Sequence, residues 1–231
     1  MRRTGQPGID GTQPIFIASL CDVARKAAEN ASFLHRPQHA NLRLTVQTRT
    51  GRMNRNRTIR WRGIDPATLE HCQIIRSADD TRIRSSLIAP DYGLFYRLKL
   101  NEAGHVRSAR IERTDGRTLE LFSDGAGNWS DDRAEPLPAL RGCIDIDLWP
   151  SPLTNSLPIW RSQWIDNQPQ HFTMAWINGD DMTVRPDAQI YTRLDAARFH
   201  FRNADGFERI ISVDSDGLVT LYPDLFEATS P

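Results

Sequence analysis

The chain has 231 residues, 39% of them hydrophobic and 25% charged, enough to bury a substantial core in one large domain or in one domain with an arm. No apolar stretch approaches the roughly 18 residues of a membrane-spanning helix, the nearest being the short run Ile15 to Leu20, which excludes a helical membrane protein. Three cysteines, Cys21, Cys72 and Cys143, are too few and too widely spaced for a disulfide scaffold or a CxxC metal site.

The run after Arg2 and Arg3 is also too short for a secretion signal and leads directly into Asp22, Arg25 and Lys26, so the expected compartment is the cytoplasm. The formal net charge of zero hides an asymmetry. Residues 1–62 hold 12 Arg or Lys against three acids, a balance of +9, and the remaining 17 against 26 leave −9. A basic arm suits nucleic acid or an acidic surface through counterion release. It equally suits a solvated extension, the commoner outcome, and residues 1–56 are read as a basic, disordered or partly helical extension. Within them "SLCDVARKAAENASFL" places Leu20, Val23, Ala24, Ala27, Ala28 and Ala31 on one helical face. Met53, just before the first strand, is an alternative start.

From Thr58 the pattern changes to short alternating runs. "TIRWRG", "EHCQIIR", "TRIRSSLI", "GLFYRLKL", "HVRSARIER", "RTLELF" and "CIDIDLW" read as strands, followed by "PIWRSQWI", "QHFTMAWI", "AQIYTRL", "RFHFRN", "ERIISVD" and "GLVTLY". Between them lie Asp115-Gly116, Asp124-Gly125, Asn178-Gly179, Asp205-Gly206 and Asp216-Gly217, dipeptides that supply the positive φ of tight hairpins. The expectation is a mainly β domain over 57–227. It would be a single curled antiparallel sheet, or roll, whose inward positions enclose either packed side chains or a ligand cavity.

The stretch "RGCIDIDLWPSPLTNSLPIWR", residues 141–161, carries the candidate chemistry. Alternation places Ile144, Ile146 and Leu148 on one face and Cys143, Asp145, Asp147 and Trp149 on the other. Carboxylates at alternate positions lie ~7 Å apart in an extended strand, a spacing open to a metal, to an acid/base pair or to a hydrogen-bonded structural role. No third carboxylate or histidine stands nearby, which favours the structural role and argues against metal. Cys143 as a nucleophile would need His71, His171 or His200, and nothing in the spacing selects one; a buried, inert thiol is the commoner case. Prolines end the strand at Trp149, and Thr154-Asn155 reads as a loop that satisfies its own backbone. Trp129, Trp149, Trp160, Trp164 and Trp176 cluster in the middle third, suited to a core or to stacking on sugar rings.

The motif Gly142-Cys143-x-Asp145-x-Asp147, leading into Pro152-x-Thr154-Asn155-x-Leu157-Pro158-Ile159 and Arg161, resembles the putative glycolipid-binding family, a former domain of unknown function found across bacteria. Supporting positions occur in order: Trp61, Glu70-His71, Asp124-Gly125-x-Gly127-x-Trp129, Ala175-Trp176, Gln189-x-Tyr191 and the ending "VDSDGLVTLYPDLF". The resemblance covers about Arg57 to Phe226. It implies a spiral β-roll similar to lipoprotein carriers, wrapped around an apolar cavity, with no catalytic residues established. It also implies binding of a glycolipid-like or acyl-bearing amphiphile. The ligand-contact candidates are Trp129, Asp145, Asp147, Asn155, Arg161, Trp176, Gln189 and Tyr191, with no metal and no cofactor expected. The alternative is an enzyme acting on a glycoconjugate or lipid through Asp145 and Asp147.

Overall fold

In Asp80–Ile88 the residues Thr81, Ile83, Ser85 and Leu87 are buried while Arg82, Arg84 and Ile88 face solvent. That period-two pattern, with β-branched and aliphatic residues inward, suits a strand with one face on a core. A computed structural model describes residues 56–229. Residues 1–55, which hold the expected helix and Met53, lie outside them.

Seven strands come first: β1 Arg57–Gly63, β2 Leu69–Arg76, β3 Asp80–Ile88, β4 Gly93–Asn101, β5 Val106–Arg113, β6 Thr118–Ser123 and the short β7 Trp129–Ser130. A 3-10 turn at Pro138–Leu140 precedes β8 Asp145–Trp149, and a second at Pro152–Asn155 runs into the helix α1 Ser156–Arg161. The chain closes with β9 Pro169–Asn178, β10 Val184–Arg193, β11 Arg198–Asn203, β12 Glu208–Val213, β13 Val219–Tyr222 and β14 Phe226–Thr229.

All the strands join one sheet in the order β7-β6-β5-β4-β3-β2-β1-β14-β13-β12-β11-β10-β9-β8. The first strand pairs with the last, Trp61 opposite Ala228, so the sheet consists of two meanders sewn together along β1 and β14. Asp-Gly turns connect neighbours as expected, with Gly116 at φ 90° and Gly217 at φ 76°. The sheet is curled and unclosed. Its two ends nevertheless meet: Gly142 N donates to Gly127 O at 2.8 Å, and the Trp129 indole donates to Cys143 O at 2.7 Å. A Cβ on Gly127 would stand 2.9 Å from Gly142 Cα, so this seam requires glycine.

One pair, β8 with β9, is parallel, with Asp147 opposite Trp176. Parallel neighbours need a crossover, and residues 150–168 supply it by passing through the interior of the curl. Every residue from Pro150 to Trp160 is buried. Leu153 and Leu157 join the core formed with β1 to β6, around Trp61, Ile74, Ile83 and Tyr96. Ile159 joins the aromatic core of the other half, around Phe172, Tyr191, Phe199 and Phe201. Each fully buried leucine here stabilises the fold by roughly 1.5–3 kcal/mol.

The expected strand "PIWRSQWI" is instead α1 and the turn after it. Pro158 sits in the first turn of the helix, where a missing N–H costs nothing, and Leu153, Leu157 and Trp160 recur at helical spacing. An element surrounded by protein on all sides has no solvent face to set a period of two.

Candidate functional site

The inward positions of β10 are Asp187, Gln189 and Tyr191, all buried. The strands on either side place Phe172 and Met174 of β9 and Phe199 and Phe201 of β11 in the same layer. Buried polar side chains in such a layer need partners, and each finds them. The Gln189 amide donates to Asp147 Oδ2 at 2.7 Å and to Asp187 Oδ2 at 3.0 Å. Tyr191 OH donates to Gln189 Oε1 at 3.2 Å and accepts from the Asn155 amide at 2.9 Å. The Thr154 hydroxyl accepts from Leu148 N at 3.1 Å and lies 3.0 Å from Asp147 Oδ1 as donor. The crossover segment and β10 thus hold Asp147 from both sides.

Register places Asp147, Trp176 and Arg185 side by side on β8, β9 and β10. They border a cavity of about 290 Å³. Asp147, Asn155, Asp187 and Gln189 form its polar floor, and Trp149, Trp176, Phe201, Phe207, Tyr222 and Phe226 its aromatic walls. The rings brace one another edge to face, Trp149 against Phe226 with centroids 5.9 Å apart and Phe201 against Tyr222 at 6.1 Å. Arg185 lies over Trp176, 4.5 Å from the ring centroid, and pairs with Asp187 at 3.3 Å and with the exposed Asp205 at 3.5 Å.

Burial pushes the Asp147 carboxyl above the usual carboxylate range; the hydrogen bonds from Gln189 and Thr154 pull it back, and the neighbouring Asp187 adds to the rise. Under the floor, Ser151 donates to Glu70 Oε1 at 3.0 Å, alongside Ser85 at 2.6 Å and Tyr96 at 2.5 Å. Glu70 is also raised by burial, against those three hydrogen bonds.

The sequence candidates separate. Asp147, Asn155, Trp176 and Gln189 line the cavity, and Tyr191 stands behind it as the link between Asn155 and Gln189. Asp145, two residues from Asp147 on the same side of β8, is fully buried and takes the Arg161 Nε–H at 2.7 Å. That pair lies outside the cavity lining, with the guanidinium over Phe172 at 5.0 Å. Trp129 belongs to the seam of the sheet. Thr154 does satisfy backbone, as expected of the loop, whereas Asn155 reaches Tyr191 instead.

Sequence reasoning found Trp149 and Trp176 but missed Asp187 and the Phe201, Phe207, Tyr222 and Phe226 walls. The signal for Asp187 was present in "DAQIY", where a carboxylate, an amide and a phenol fall on alternate positions of one strand. Cys143 is buried and its thiol is pushed up to about 11 by burial, which removes it as a nucleophile at neutral pH. Among the described residues, no group of three or more His, Cys, Asp and Glu is placed to hold a metal ion. No helix among them is long and apolar enough to cross a membrane.

The family described as "Putative glycolipid-binding" matches residues 58–228. This chain belongs to that family. Its fold is also similar to the crystal structure of a DUF1089 family protein from Pseudomonas aeruginosa. The two are 38% identical, with a TM-score of 0.62, over 68% of this chain and 91% of the other. Comparison with curated proteins finds no match.

Proposed function

We propose that this member of the family binds a glycolipid-like amphiphile without chemical turnover, seating a sugar headgroup in the cavity. One observation carries the reading: a concave site that combines aromatic walls with a floor of carboxylates and amides. Flat aromatic faces match the C–H faces of a sugar, and the floor groups match its hydroxyls. Asp147, Asn155, Asp187 and Gln189 are the hydrogen-bonding residues, with Trp176 as a stacking face. Size supports a ring over a whole tail. At ~30 Å³ for each water-sized group, 290 Å³ accommodates about one sugar ring, while the interior beyond Ser151 is filled by Leu153 and Leu157. The apolar tail then leaves by the mouth, past Leu225 and Phe207.

Native mass spectrometry of the purified chain, followed by organic extraction, tests this. A co-purifying amphiphile bearing a sugar is the expected result. Its absence, together with failure to bind any added alkyl glycoside, would count against the reading.

A second reading rests on the carboxylate pair. Asp147 and Asp187 share one amide donor, and two carboxyl groups facing one cavity are the arrangement that glycoside chemistry uses. Release of nitrophenol from aryl glycosides, lost in Asp147→Asn, would favour an enzyme; no release above background would discard it.

A further inference from the structure

The charges of the cavity do not balance. Arg185 is shared between Asp187 and Asp205 and is stacked on Trp176. Arg209, the other guanidinium near the wall, lies over Phe207, 4.7 Å from the ring centroid, and pairs with Asp224 at 3.3 Å. Asp147, on the floor, has neutral partners: the Gln189 amide and the Thr154 hydroxyl. Among the described residues no Arg, Lys or His forms an ion pair with it. Three carboxylates therefore face the cavity against one guanidinium.

A carboxylate taken out of water without a counter-ion is costly, and the cost falls when a cation arrives beside it. The walls favour the same kind of guest. Trp149, Trp176, Tyr222 and Phe226 supply π faces, which attract cations once water is displaced. A phosphate, sulfate or carboxylate headgroup would instead meet Asp147 and Asp187 with Arg185 already engaged.

We propose that the headgroup taken by this cavity is a sugar ring carrying an ammonium group, with Asp147 as its counter-ion. The proposal rests on the cavity being the headgroup site. The ammonium would lie between the Asp147 carboxylate and the aromatic walls, while the ring hydroxyls engage Asn155 and Asp187. No covalent step is involved.

NMR titration of the full chain with soluble probes tests the idea at a pH where the amine is protonated. The probes are a methyl 2-amino-2-deoxyglycoside, its N-acetylated form, the parent methyl glycoside and ethanolamine. The expected result is that the amino glycoside binds about tenfold or more tightly than either neutral glycoside, with that preference erased in Asp147→Asn. Should the variant fail to fold, the wild-type ratio decides alone. Neutral glycosides that bind as tightly as the amino glycoside would overturn the ammonium proposal and leave the sugar site standing. Ethanolamine binding as tightly as the amino glycoside would overturn the sugar ring. No binding by any glycoside would overturn the headgroup site itself.

Discussion

The side-chain amide of Gln189 bridges Asp147 and Asp187, donating to the first at 2.7 Å and to the second at 3.0 Å. One neutral group thereby holds two buried carboxyls within two hydrogen-bond lengths of each other. Gln189→Leu keeps the bulk but removes the donors to Asp147 and Asp187 and the acceptor of the Tyr191 hydroxyl, leaving three buried polar groups short of a partner. It is expected to destabilise the fold by about 2–4 kcal/mol, as a lowered midpoint in urea denaturation with an unchanged slope, and to weaken glycoside binding.

Buried carboxyls give a pH dependence with a definite sign. Glu70 and Asp147 are both raised by burial, so each favours the folded state most when protonated. Their contribution is whole below about pH 4 and is lost as pH rises through the raised values. Asp115, held down to about 2 chiefly by the Arg117 hydrogen bond, acts oppositely, its contribution falling away below about pH 4. Denaturation midpoints should therefore decline from about pH 4 toward neutrality, and Glu70→Gln should flatten that decline. A wild-type midpoint that climbs over this interval would contradict the assignment.

The buried pair of Asp145 and Arg161 is expected to be structural. Arg161→Met strands a buried carboxylate and should cost about 3–5 kcal/mol. The double change with Asp145→Leu should recover most of it, since a buried ion pair and an apolar replacement of like volume are often close in energy. A double-mutant cycle by chemical denaturation measures the coupling, and strict additivity would show that the pair does not interact.

The seam can be probed by comparing glycines. Both Gly116 and Gly127 have positive φ, at 90° and 94°. A Cβ at Gly116 meets nothing within 4 Å, while one at Gly127 meets Gly142 backbone at 2.9 Å. Gly116→Ala should cost about 1–2 kcal/mol from backbone strain alone. Gly127→Ala should cost clearly more, because the backbone at the seam must move. Thermal unfolding of the two variants side by side checks the order.

Much of the fold was legible because most strands have one wet face. Alternation in β1 to β6 and the Asp-Gly turns carry that signal directly. The crossover was illegible for the converse reason: Pro150 to Trp160 is dry on all sides, so no contrast of wet and dry positions marks its elements. The site divides along the same line. Asp145 and Asp147 are equivalent by alternation, and only the path of the crossover, which brings Arg161 back to Asp145 and Thr154 to Asp147, distinguishes them. The aromatic walls come from β8, β9, β11, the β11–β12 turn and the β13–β14 corner, elements spread along the chain and joined by the curl of the sheet.

The central claim, that the cavity seats a sugar headgroup, is tested most directly through the tryptophan indoles. Trp149 and Trp176 line the cavity, whereas the indoles of Trp61 and Trp129 donate to Val219 O and Cys143 O in the packed interior, each at 2.7 Å. In 15N-resolved NMR titrations with a short alkyl glycoside below its micelle concentration, the indole N–H signals of Trp149 and Trp176 should shift saturably while those of Trp61 and Trp129 stay in place. Signals of Trp149 and Trp176 that remain fixed to saturating glycoside would contradict the claim.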